Sequence, residues 1–483
     1  MRFVLAAAFF LTPLPAIARQ APNPVQSILA EAGPGTRWGV LVADENGREI
    51  LAIDPDKRFM PASNTKLYTT AAALWAEGRD ARPSLKENGP SVALSGQDVV
   101  IRGTGYAQLS SAPDCVTACL ATLADAVAAK TRQVHDVVGD AQLFHDERWS
   151  PGMSWNNIPS AYGTAIAALS VDDNEIAATV APGVLGAPPT VALPGYYEVH
   201  NRALTVAGDA ETLVFDRAPN SRVLIVTGTL GIAHPPVKWR LGIDDPAGYA
   251  AWRFAGMLRD RGVQVSGTVK GRYCEPKPPE TVAFAEGSAV PATCGTIGLD
   301  RAPVTLARID PPTLASNLTT INKDSQNLYA ELMLRRLGLT RGAGSIAGGQ
   351  MVVSAMLGEA GVTAEQVTLA DGSGMSSYNR VTPRATVKLL QFAARQPWGA
   401  LYRASLPVGG IDGTLRSRFA GTALQGRIFA KTGTLNATNA LAGWLVAASG
   451  KVLTFAVYAN DVPEEVRATA IMDRALLTLA AAN

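Results

Sequence analysis

Residues 61–74 are Pro61-Ala62-Ser63-Asn64-Thr65-Lys66-Leu67-Tyr68-Thr69-Thr70-Ala71-Ala72-Ala73-Leu74. After its first residue the stretch is rich in alanine and has no helix breaker, so it predicts a helix that begins near Ser63. Ser63 and Lys66 then lie on one face of that helix, three residues apart. A lysine whose pKa is lowered by burial or by a neighbouring cation can accept the proton of a serine and make it a nucleophile.

The start of the helix adds a second element of the same chemistry. The first backbone N–H groups of a helix have no partner within it, and they can stabilise an oxyanion that develops beside the serine. The simpler alternative is that Ser63 only caps the helix and that Lys66 is a solvated surface residue. Since Ser-x-x-Lys is a frequent chance match, the assignment depends on the rest of the chain.

Two further motifs follow in the chain. Ser325-Gln326-Asn327 stands just before a predicted helix over residues 328–337, and Lys431-Thr432-Gly433 follows a predicted strand over residues 427–430. Their order after Ser-x-x-Lys is the three-part signature of penicillin-recognising serine acyl-transferases. Two other segments, Ser154-Trp155-Asn156 and Ser377-Tyr378-Asn379, also fit the middle motif. Ser325 is preferred because of the helix that follows it.

The N-terminal segment predicts export. Met1-Arg2 is followed by an apolar run over residues 3–15 and by Ala16-Ile17-Ala18, a small-x-small cleavage pattern. Residues 1–18 are therefore predicted to be a signal peptide, which directs the chain to the periplasm or another extracytoplasmic space. An anchoring helix is the alternative, but the apolar run is short and is interrupted by proline.

Composition excludes several function classes. The 43 basic and 41 acidic residues give a net charge of +2 without a basic block, so no nucleic-acid partner is expected. No basic amphipathic tail follows a predicted terminal helix over residues 464–481, so at most a peripheral association with membrane or wall is expected. The chain has only four histidines, none with a zinc-type spacing, and it lacks a Gly-x-Ser-x-Gly elbow. Neither a metal nor another cofactor is predicted.

Four cysteines in an exported chain favour disulfides over metal ligation. Proximity in the sequence favours the pairs Cys115 with Cys119 and Cys274 with Cys294, although three pairings are open. Cys115 and Cys119 are four residues apart on a predicted helix, so two unreactive thiols are an alternative for them.

The pattern of predicted elements indicates an α/β fold interrupted by a long insert. Residues 19–80 and 296–483 predict one catalytic domain, an antiparallel sheet flanked by helices, with hairpins over residues 38–53 and 441–459. Residues 81–295 are short strands punctuated by proline and glycine. They predict a β-rich insert that forms one or two extra domains, one of them at roughly 175–262, because a loop of that length would not lack structure of its own.

Together these motifs resemble one family, the D-alanyl-D-alanine carboxypeptidases/endopeptidases, class C low-molecular-mass penicillin-binding proteins of the peptidase S13 type. The resemblance spans the mature chain, including the long insert. The segments that carry it are Pro61-Ala62-Ser63-Asn64-Thr65-Lys66, Ser325-Gln326-Asn327, Asp371-Gly372-Ser373-Gly374-Met375-Ser376, Leu406-Pro407-Val408-Gly409-Gly410-Ile411-Asp412-Gly413-Thr414-Leu415 and Lys431-Thr432-Gly433-Thr434-Leu435. It implies a penicillin-binding, transpeptidase-like catalytic domain, peptidoglycan peptides as substrates and β-lactams as covalent inhibitors.

The resemblance also implies a role for each motif residue. Ser63 is the nucleophile, Lys66 takes its proton, and Ser325 with Lys431 passes a proton to the leaving D-amino acid. The substrate-binding residues it implies are Asn327, Thr432, Gly433 and Thr434. The backbone N–H groups of Ser63 and Thr434 form the oxyanion hole. Which lysine is the base during acylation is left open.

Two positions depart from the family pattern. Members that select a diaminopimelate-bearing stem peptide carry an acidic residue where this chain has Asn157, and an arginine where it has Ser377. Recognition of the diaminopimelate zwitterion by charge pairs is therefore not expected, and Asn157, Tyr162 or Asn436 is left as a polar substitute.

The sequence predicts a serine D-Ala-D-Ala carboxypeptidase, a D,D-endopeptidase or both. A catalytically silent cell-wall-binding scaffold is one alternative, which the intact serine and lysine motifs argue against. A β-lactamase is another, which the long insert and the lack of a Glu-x-x-Leu-Asn element argue against.

Overall fold

The computed structural model describes residues 24–77, 79, 89–274, 304–341 and 344–483. The predicted signal peptide, Cys294 and both predicted boundaries of the insert, near residues 80 and 295, lie outside these residues. The helices are α1 (Pro24–Ala30), α2 (Thr65–Glu77), α3 (Leu120–Lys130), α4 (Pro246–Asp260), α5 (Leu314–Lys323), α6 (Asn327–Gly338), α7 (Ile346–Glu359), α8 (Pro383–Ala394), α9 (Gly399–Ala404) and α10 (Ala468–Ala482).

The strands fall into a catalytic sheet at the two ends of the chain and a set of insert sheets. They are β1 (Arg37–Ala43), β2 (Glu49–Ile53), β3 (Ser91–Ser95), β4 (Asp98–Arg102), β5 (Tyr106–Leu109), β6 (Gln133–Val134), β7 (Val137–His145), β8 (Leu169–Val171), β9 (Glu175–Ala181), β10 (Thr190–Ala192), β11 (Glu198–Asn201), β12 (Leu204–Val206), β13 (Val214–Asp216), β14 (Val223–Thr227), β15 (Thr229–Gly231), β16 (Val237–Gly242), β17 (Gln264–Val265), β18 (Val269–Cys274), β19 (Val304–Arg308), β20 (Val367–Thr368), β21 (Arg380–Val381), β22 (Ile428–Leu435), β23 (Thr438–Val446) and β24 (Val452–Asn460).

The catalytic sheet is antiparallel and joins both ends of the chain, which confirms the predicted fold class. Its strand order is β2-β1-β24-β23-β22, with β1 pairing β24 from Arg37 opposite Asn460 to Ala43 opposite Thr454. Alternate side chains of β1 point to opposite faces. Leu41 packs into the core that contains α2 and α8, whereas Val40 packs into the core that contains α1 and α10.

Both predicted hairpins of this sheet are present, with small differences at their edges. The turn between β1 and β2 is longer than a two-residue Asn-Gly turn, in which both central residues have a positive φ. In this longer turn only Gly47 has a positive φ, of 84°. The terminal helix α10 begins at Ala468 and not at residue 464, since residues 464–465 form a separate turn before it.

The insert has a mixed sheet of its own, with the strand order β18-β7-β4-β3-β19. Helices α3 and α4 cover it. Strand β19 comes from the far side of the chain, yet it pairs antiparallel with β3. We therefore propose that the catalytic domain resumes after Arg308, later than the boundary predicted at residue 296.

The remaining insert strands form small sheets beside the first one, including β10-β9-β16 and β11-β14-β13. Their apolar side chains belong to one continuous core with those of the mixed sheet. Helix α4 packs on β7 and β18 of the mixed sheet. We propose that the smaller subdomain comprises residues 175–242, which shortens the predicted 175–262 because α4 belongs with the larger sheet.

The cysteines agree with the predicted pairing as far as the described residues allow. Cys115 and Cys119 form a disulfide, which confirms the first pair. They do not lie on a helix as predicted, because α3 begins only at Leu120. Cys274 is disulfide-bonded as well, while Cys294, its predicted partner, lies outside the described residues.

Candidate active site

The nucleophile candidate Ser63 lies where the chain enters α2. A 3₁₀ turn, Ala62–Asn64, leads directly into the helix, which confirms the predicted helix start. Ala62 has a φ of 47°, in the left-handed region that few residues other than glycine adopt. A Cβ atom on Gly374 would lie 1.9 Å from the Ala62 carbonyl oxygen, so only glycine lets that loop pack against the turn. Helix α2 on one side and the loop that carries Gly374 on the other thus fix the position of Ser63.

Lys66 is completely buried beneath this serine. Its Nζ lies 2.9 Å from Ser63 Oγ, 2.7 Å from Asn327 Oδ1 and 2.7 Å from the carbonyl oxygen of Ser373. A neutral amine has two N–H donors and one lone pair. The Asn327 and Ser373 oxygens accept the two N–H groups, which leaves the lone pair facing the Ser63 hydroxyl. The geometry suits a base that takes the serine proton.

The electrostatics of the site agree with that role. Burial lowers the pKa of Lys66 to about 7, even though the negative charges of Asp371 and Glu331 act to raise it. Much of Lys66 is therefore unprotonated near neutral pH, where an ordinary lysine is almost entirely charged.

Ser325 and Lys431 form a second serine–lysine pair. Ser325 occupies the bend between α5 and α6 with a φ of 58°, a strained conformation that places its side chain against the strand. Lys431 Nζ lies 2.9 Å from Ser325 Oγ and 3.0 Å from the carbonyl oxygen of Thr432. Burial, assisted by the positive charge of Lys66, holds the pKa of Lys431 well below its usual range.

Asn327 connects the catalytic domain with the insert. Its Oδ1 accepts from Lys66, and its Nδ2 donates to the carbonyl oxygen of Tyr162, 2.9 Å away. The second bond fixes the orientation of the amide, so that its oxygen and not its nitrogen faces the lysine. The insert thereby helps to form the site.

Strand β22 offers an open sheet edge beside Ser63. The Ala430 N–H donates to the Pro407 carbonyl, and the Ile428 carbonyl accepts from the Gly409 N–H, so these groups point away from β23. Because the direction alternates along a strand, Thr432 and Thr434 point their N–H and C=O groups the same way. The outward N–H of Thr434 has the direction that an oxyanion donor needs.

Gly433 lies where β22 passes closest to the nucleophile turn. A Cβ atom there would lie 2.7 Å from the Pro61 carbonyl oxygen and 3.0 Å from the Ala440 Cβ atom. Any larger residue would push the strand away from Ser63. The neighbouring Thr432 hydroxyl is hydrogen-bonded to the Thr414 hydroxyl at 2.7 Å, which holds its side chain at the edge.

The structure discriminates between the three Ser-x-Asn segments. Ser325 alone among their serines contacts Lys431 within the described residues. Ser154 lies in the insert and bonds Asn156, and Ser377 bonds the carbonyl oxygen of Gly152. The choice of Ser325, made from the helix that follows it, agrees with this arrangement.

Asn157 and Ser377, the positions that depart from the family pattern, lie on adjoining loops. Both the backbone N–H and the hydroxyl of Ser377 bond the Gly152 carbonyl oxygen, at 2.9 and 3.0 Å. Asn157 is partly exposed in a 3₁₀ turn, Trp155–Asn157, a few residues further along that insert loop. The hydrogen bonds from Ser377 to Gly152 join the two loops.

The sequence analysis did not identify two residues that help to position Lys66. One contacts Lys66 through its backbone carbonyl, and the other holds the loop that carries this carbonyl. They are Ser373, whose carbonyl oxygen bonds Lys66, and Glu331, which accepts hydrogen bonds from the Ser373 and Gly372 N–H groups. The signal for Glu331 was an acidic residue in the apolar stretch of α6. For a backbone carbonyl the sequence carries no comparable signal.

One cluster of ligand-type side chains lies far from these lysines in the insert. Asp98, His135 and Asp136 approach one another. The Asp136 carboxylate accepts from the Thr268 N–H at 2.7 Å and from Lys270 Nζ at 2.7 Å, and the bond from Lys270 is the main reason why its pKa falls to about 2. Because Asp136 is paired with Lys270, we interpret this cluster as an ion-pair network.

Comparison with protein families finds one match that covers most of the chain. The family model of the D-Ala-D-Ala carboxypeptidase 3 (S13) family matches residues 22–291 and 285–481. A protein named D-alanyl-D-alanine carboxypeptidase from an Actinomadura species is 34% identical over 447 residues, which cover 88% of this chain and 78% of that protein. The D-alanyl-D-alanine carboxypeptidase DacB of Haemophilus influenzae is 24% identical, with 90% of this chain and 88% of that protein covered.

Solved structures share the fold. The crystal structure of penicillin binding protein 4 from Haemophilus influenzae superposes with a TM-score of 0.76 at 21% identity, covering 95% of this chain and 99% of that chain. Its complex with a β-lactam superposes with a TM-score of 0.71 at 20% identity, covering 95% and 98%. The overall architecture, with helices, antiparallel sheets and extra β-rich regions, is therefore that of these proteins.

Proposed function

Because the chain belongs to the D-Ala-D-Ala carboxypeptidase 3 (S13) family, it is a serine-type D-Ala-D-Ala carboxypeptidase, and we propose that its acyl-enzyme forms on Ser63. The observation that carries this assignment is the environment of Lys66. Its two N–H groups face the oxygens of Asn327 and Ser373, and its lone pair faces the Ser63 hydroxyl at 2.9 Å.

Acylation starts when Ser63 Oγ attacks the carbonyl carbon of the penultimate D-alanine. The serine proton passes to Lys66, and the carbonyl oxygen becomes an oxyanion between the N–H groups of Ser63 and Thr434. The substrate backbone lies along the open edge of β22, where the N–H of Thr432 and the N–H and C=O groups of Thr434 point outward, as in other cases where a peptide adds a strand to a sheet. Their hydroxyls bind its terminal carboxylate, and the Asn327 side chain contacts the substrate backbone.

Collapse of the tetrahedral intermediate expels the terminal D-alanine as an amine. That amine needs a proton, and the Ser325 hydroxyl delivers it while Lys431 resupplies Ser325 over 2.9 Å. The proton that Lys66 took from Ser63 replaces the one that Lys431 gives, so the serine proton ends on the leaving amine and both lysines return to their starting state. A water molecule then attacks the ester on Ser63 and releases the shortened peptide. A β-lactam acylates the same serine, but its leaving group stays tethered to the adduct, so deacylation is slow.

The same chemistry cleaves a cross-link when the leaving D-amino acid belongs to a second stem peptide. We propose D,D-endopeptidase activity as a second reaction of this site.

We also propose an extracytoplasmic location, with residues 1–18 removed as a signal peptide, because the peptidoglycan substrate is found there. Among the residues that the structure describes, none of the helices combines the length and apolar character needed to cross a bilayer.

At positions 157 and 377 the third residue of the stem peptide is not expected to meet a charge pair. Asn157 and Ser377 stand where selective relatives carry charged residues, and Ser377 is already engaged by Gly152. We propose that the enzyme accepts stems with different third residues and discriminates weakly between them.

A labelled penicillin and a peptide that ends in D-Ala-D-Ala test the proposal together. We expect release of D-alanine from the peptide, and a long-lived penicilloyl adduct that peptide mass spectrometry places on Ser63. Rapid loss of the adduct would instead identify a β-lactamase. A folded protein that forms no adduct and releases no D-alanine would identify a silent scaffold.

The pH dependence follows from the ionisation of Lys66. The lysine acts as a base only when it is neutral, and its pKa is about 7. We therefore expect the rate of acylation to rise with pH through about 7 and to level off above it, the sign expected for a base. The second-order rate constant of penicillin acylation between pH 5 and 9 checks this. A rate that is still rising steeply at pH 9 would show that Lys66 titrates as an ordinary lysine.

A further inference from the structure

Glu331 is a buried acidic residue that the mechanism above does not use. It lies in the second turn of α6, one turn after Asn327, and only 4% of it is exposed. A buried carboxylate is costly unless hydrogen bonds or opposite charges compensate for the lost hydration. Its partners therefore indicate why it is placed there.

Both oxygens of Glu331 are fully engaged. Oε1 accepts from the Gly372 N–H at 2.9 Å and from the Ser373 N–H at 2.8 Å. Oε2 accepts from Arg335 Nη1 at 2.8 Å and from the hydroxyl of Ser150 at 3.3 Å. One oxygen thus holds the loop over the active site, and the other holds a residue of the insert.

The loop residue that Glu331 holds is the one that orients Lys66. The Ser373 N–H is bound to Glu331, and the Ser373 carbonyl oxygen accepts from Lys66 Nζ at 2.7 Å. That carbonyl decides which way one N–H of the lysine points, and hence where its lone pair lies. Displacing residue 373 would turn the lone pair away from Ser63.

Four charged groups surround Lys66 or stand directly behind its partners. Lys431 faces it from β22, Asp371 from the loop and Glu331 from α6, with Arg335 on the far oxygen of Glu331. Asp371 accepts from the Gly374 N–H at 2.9 Å and from Asn379 Nδ2 at 2.7 Å, so it holds the loop internally. Glu331 is the member of this group that connects the loop to α6 and to the insert.

We propose that Glu331 is a positioning residue for acylation: it fixes the Ser373 carbonyl that orients Lys66, and it links this carbonyl to Ser150 of the insert. The inference rests on the proposed function, because it assumes that Lys66 is the base that activates Ser63.

The variant Glu331→Gln tests this role. Its amide oxygen can still accept from the two loop N–H groups, but the negative charge is lost and the amide nitrogen then faces Arg335. We expect the acid limb of the acylation pH profile to move to lower pH by about 0.5 to 1 unit, because a neighbouring anion no longer favours protonated Lys66. We also expect the plateau rate to fall by roughly 10-fold, because repulsion between the amide nitrogen and Arg335 shifts the side chain and with it the loop.

The matched control is Asp244→Asn. Asp244 is also 4% exposed and is also paired with a buried arginine, Arg217, but within the insert. This variant loses a comparable buried charge pair, so it is expected to lower the thermal stability while leaving the acid limb where it is in the wild type. A shift in both variants would show a general effect of destabilisation and would overturn the proposal.

The outcomes separate the inference from its premise. If the wild type forms no adduct on Ser63, the proposed function fails. If the wild type reacts and folded Glu331→Gln keeps both the acid limb and the plateau, only the role of Glu331 fails. Should Glu331→Gln not fold, the double variant Glu331→Gln with Arg335→Met removes both buried charges and leaves no guanidinium unpaired. The same shift of the acid limb is expected there, and its absence overturns the proposal.

Discussion

Replacing Ser63 with alanine is expected to abolish the release of D-alanine, by at least roughly 10⁴-fold, and to eliminate the stable penicillin adduct. The reason is chemical: the acyl group has no other oxygen to bond with at that position. The Ser325 hydroxyl contacts Lys431, whereas the serine hydroxyl that contacts Lys66 is that of Ser63. No second serine is placed to replace Ser63 among the described residues around Lys66.

The fold should survive this change. Ser63 is half-buried, and the turn around it is held by backbone contacts with Gly374 and Gly433 that do not involve its hydroxyl. Turnover, adduct mapping and thermal unfolding of Ser63→Ala are compared with those of Ser449→Ala. Ser449 lies in an exposed turn of the hairpin between β23 and β24, so its loss should change none of the three. Retained turnover in folded Ser63→Ala would point to another nucleophile.

Much of the catalytic domain was predictable from the sequence because its determinants are local. The helix start at Ser63, the helix that follows Ser325 and the strand that leads into Lys431 each have a signal within about ten residues, from helix propensity or from hydrophobic alternation. The order of the three motifs then identified the family. These motifs can be recognised without knowing which distant segments of the chain pack against them.

What the sequence did not predict are contacts between segments far apart in the chain. Asn327 bonds Tyr162, Glu331 bonds Ser150, and β19 pairs with β3 of the insert. Such contacts are set by how the insert packs on α6, and no local pattern encodes that packing. A backbone carbonyl such as that of Ser373 adds a further difficulty, since every residue type has one.

The replacement Lys66→Met is expected to lower the acylation rate by about 10² to 10⁴-fold, the usual contribution of a positioned base. Methionine matches the length of the lysine side chain without its amine, so the completely buried site remains filled. The Asn327 and Ser373 oxygens lose a donor, which costs about 1–3 kcal/mol of stability for each acceptor left unpaired. Part of this loss is offset because no amine has to be buried. The exposed Lys451→Met serves as the control, with unchanged activity expected.

This variant also decides which lysine is the base in acylation. If Lys66 is the base, the residual rate of Lys66→Met no longer changes near pH 7, because the group that titrated there is gone. If Lys431 is the base, the rate of the variant still rises with pH. Its acid limb should then lie at higher pH, since the positive charge of Lys66 lowers the pKa of Lys431 and that charge has been removed. The two assignments thus predict different pH profiles for the same variant, one flat and one rising. Measuring the acylation rate of Lys66→Met from pH 5 to 9 distinguishes them, although both assignments predict a large loss of rate.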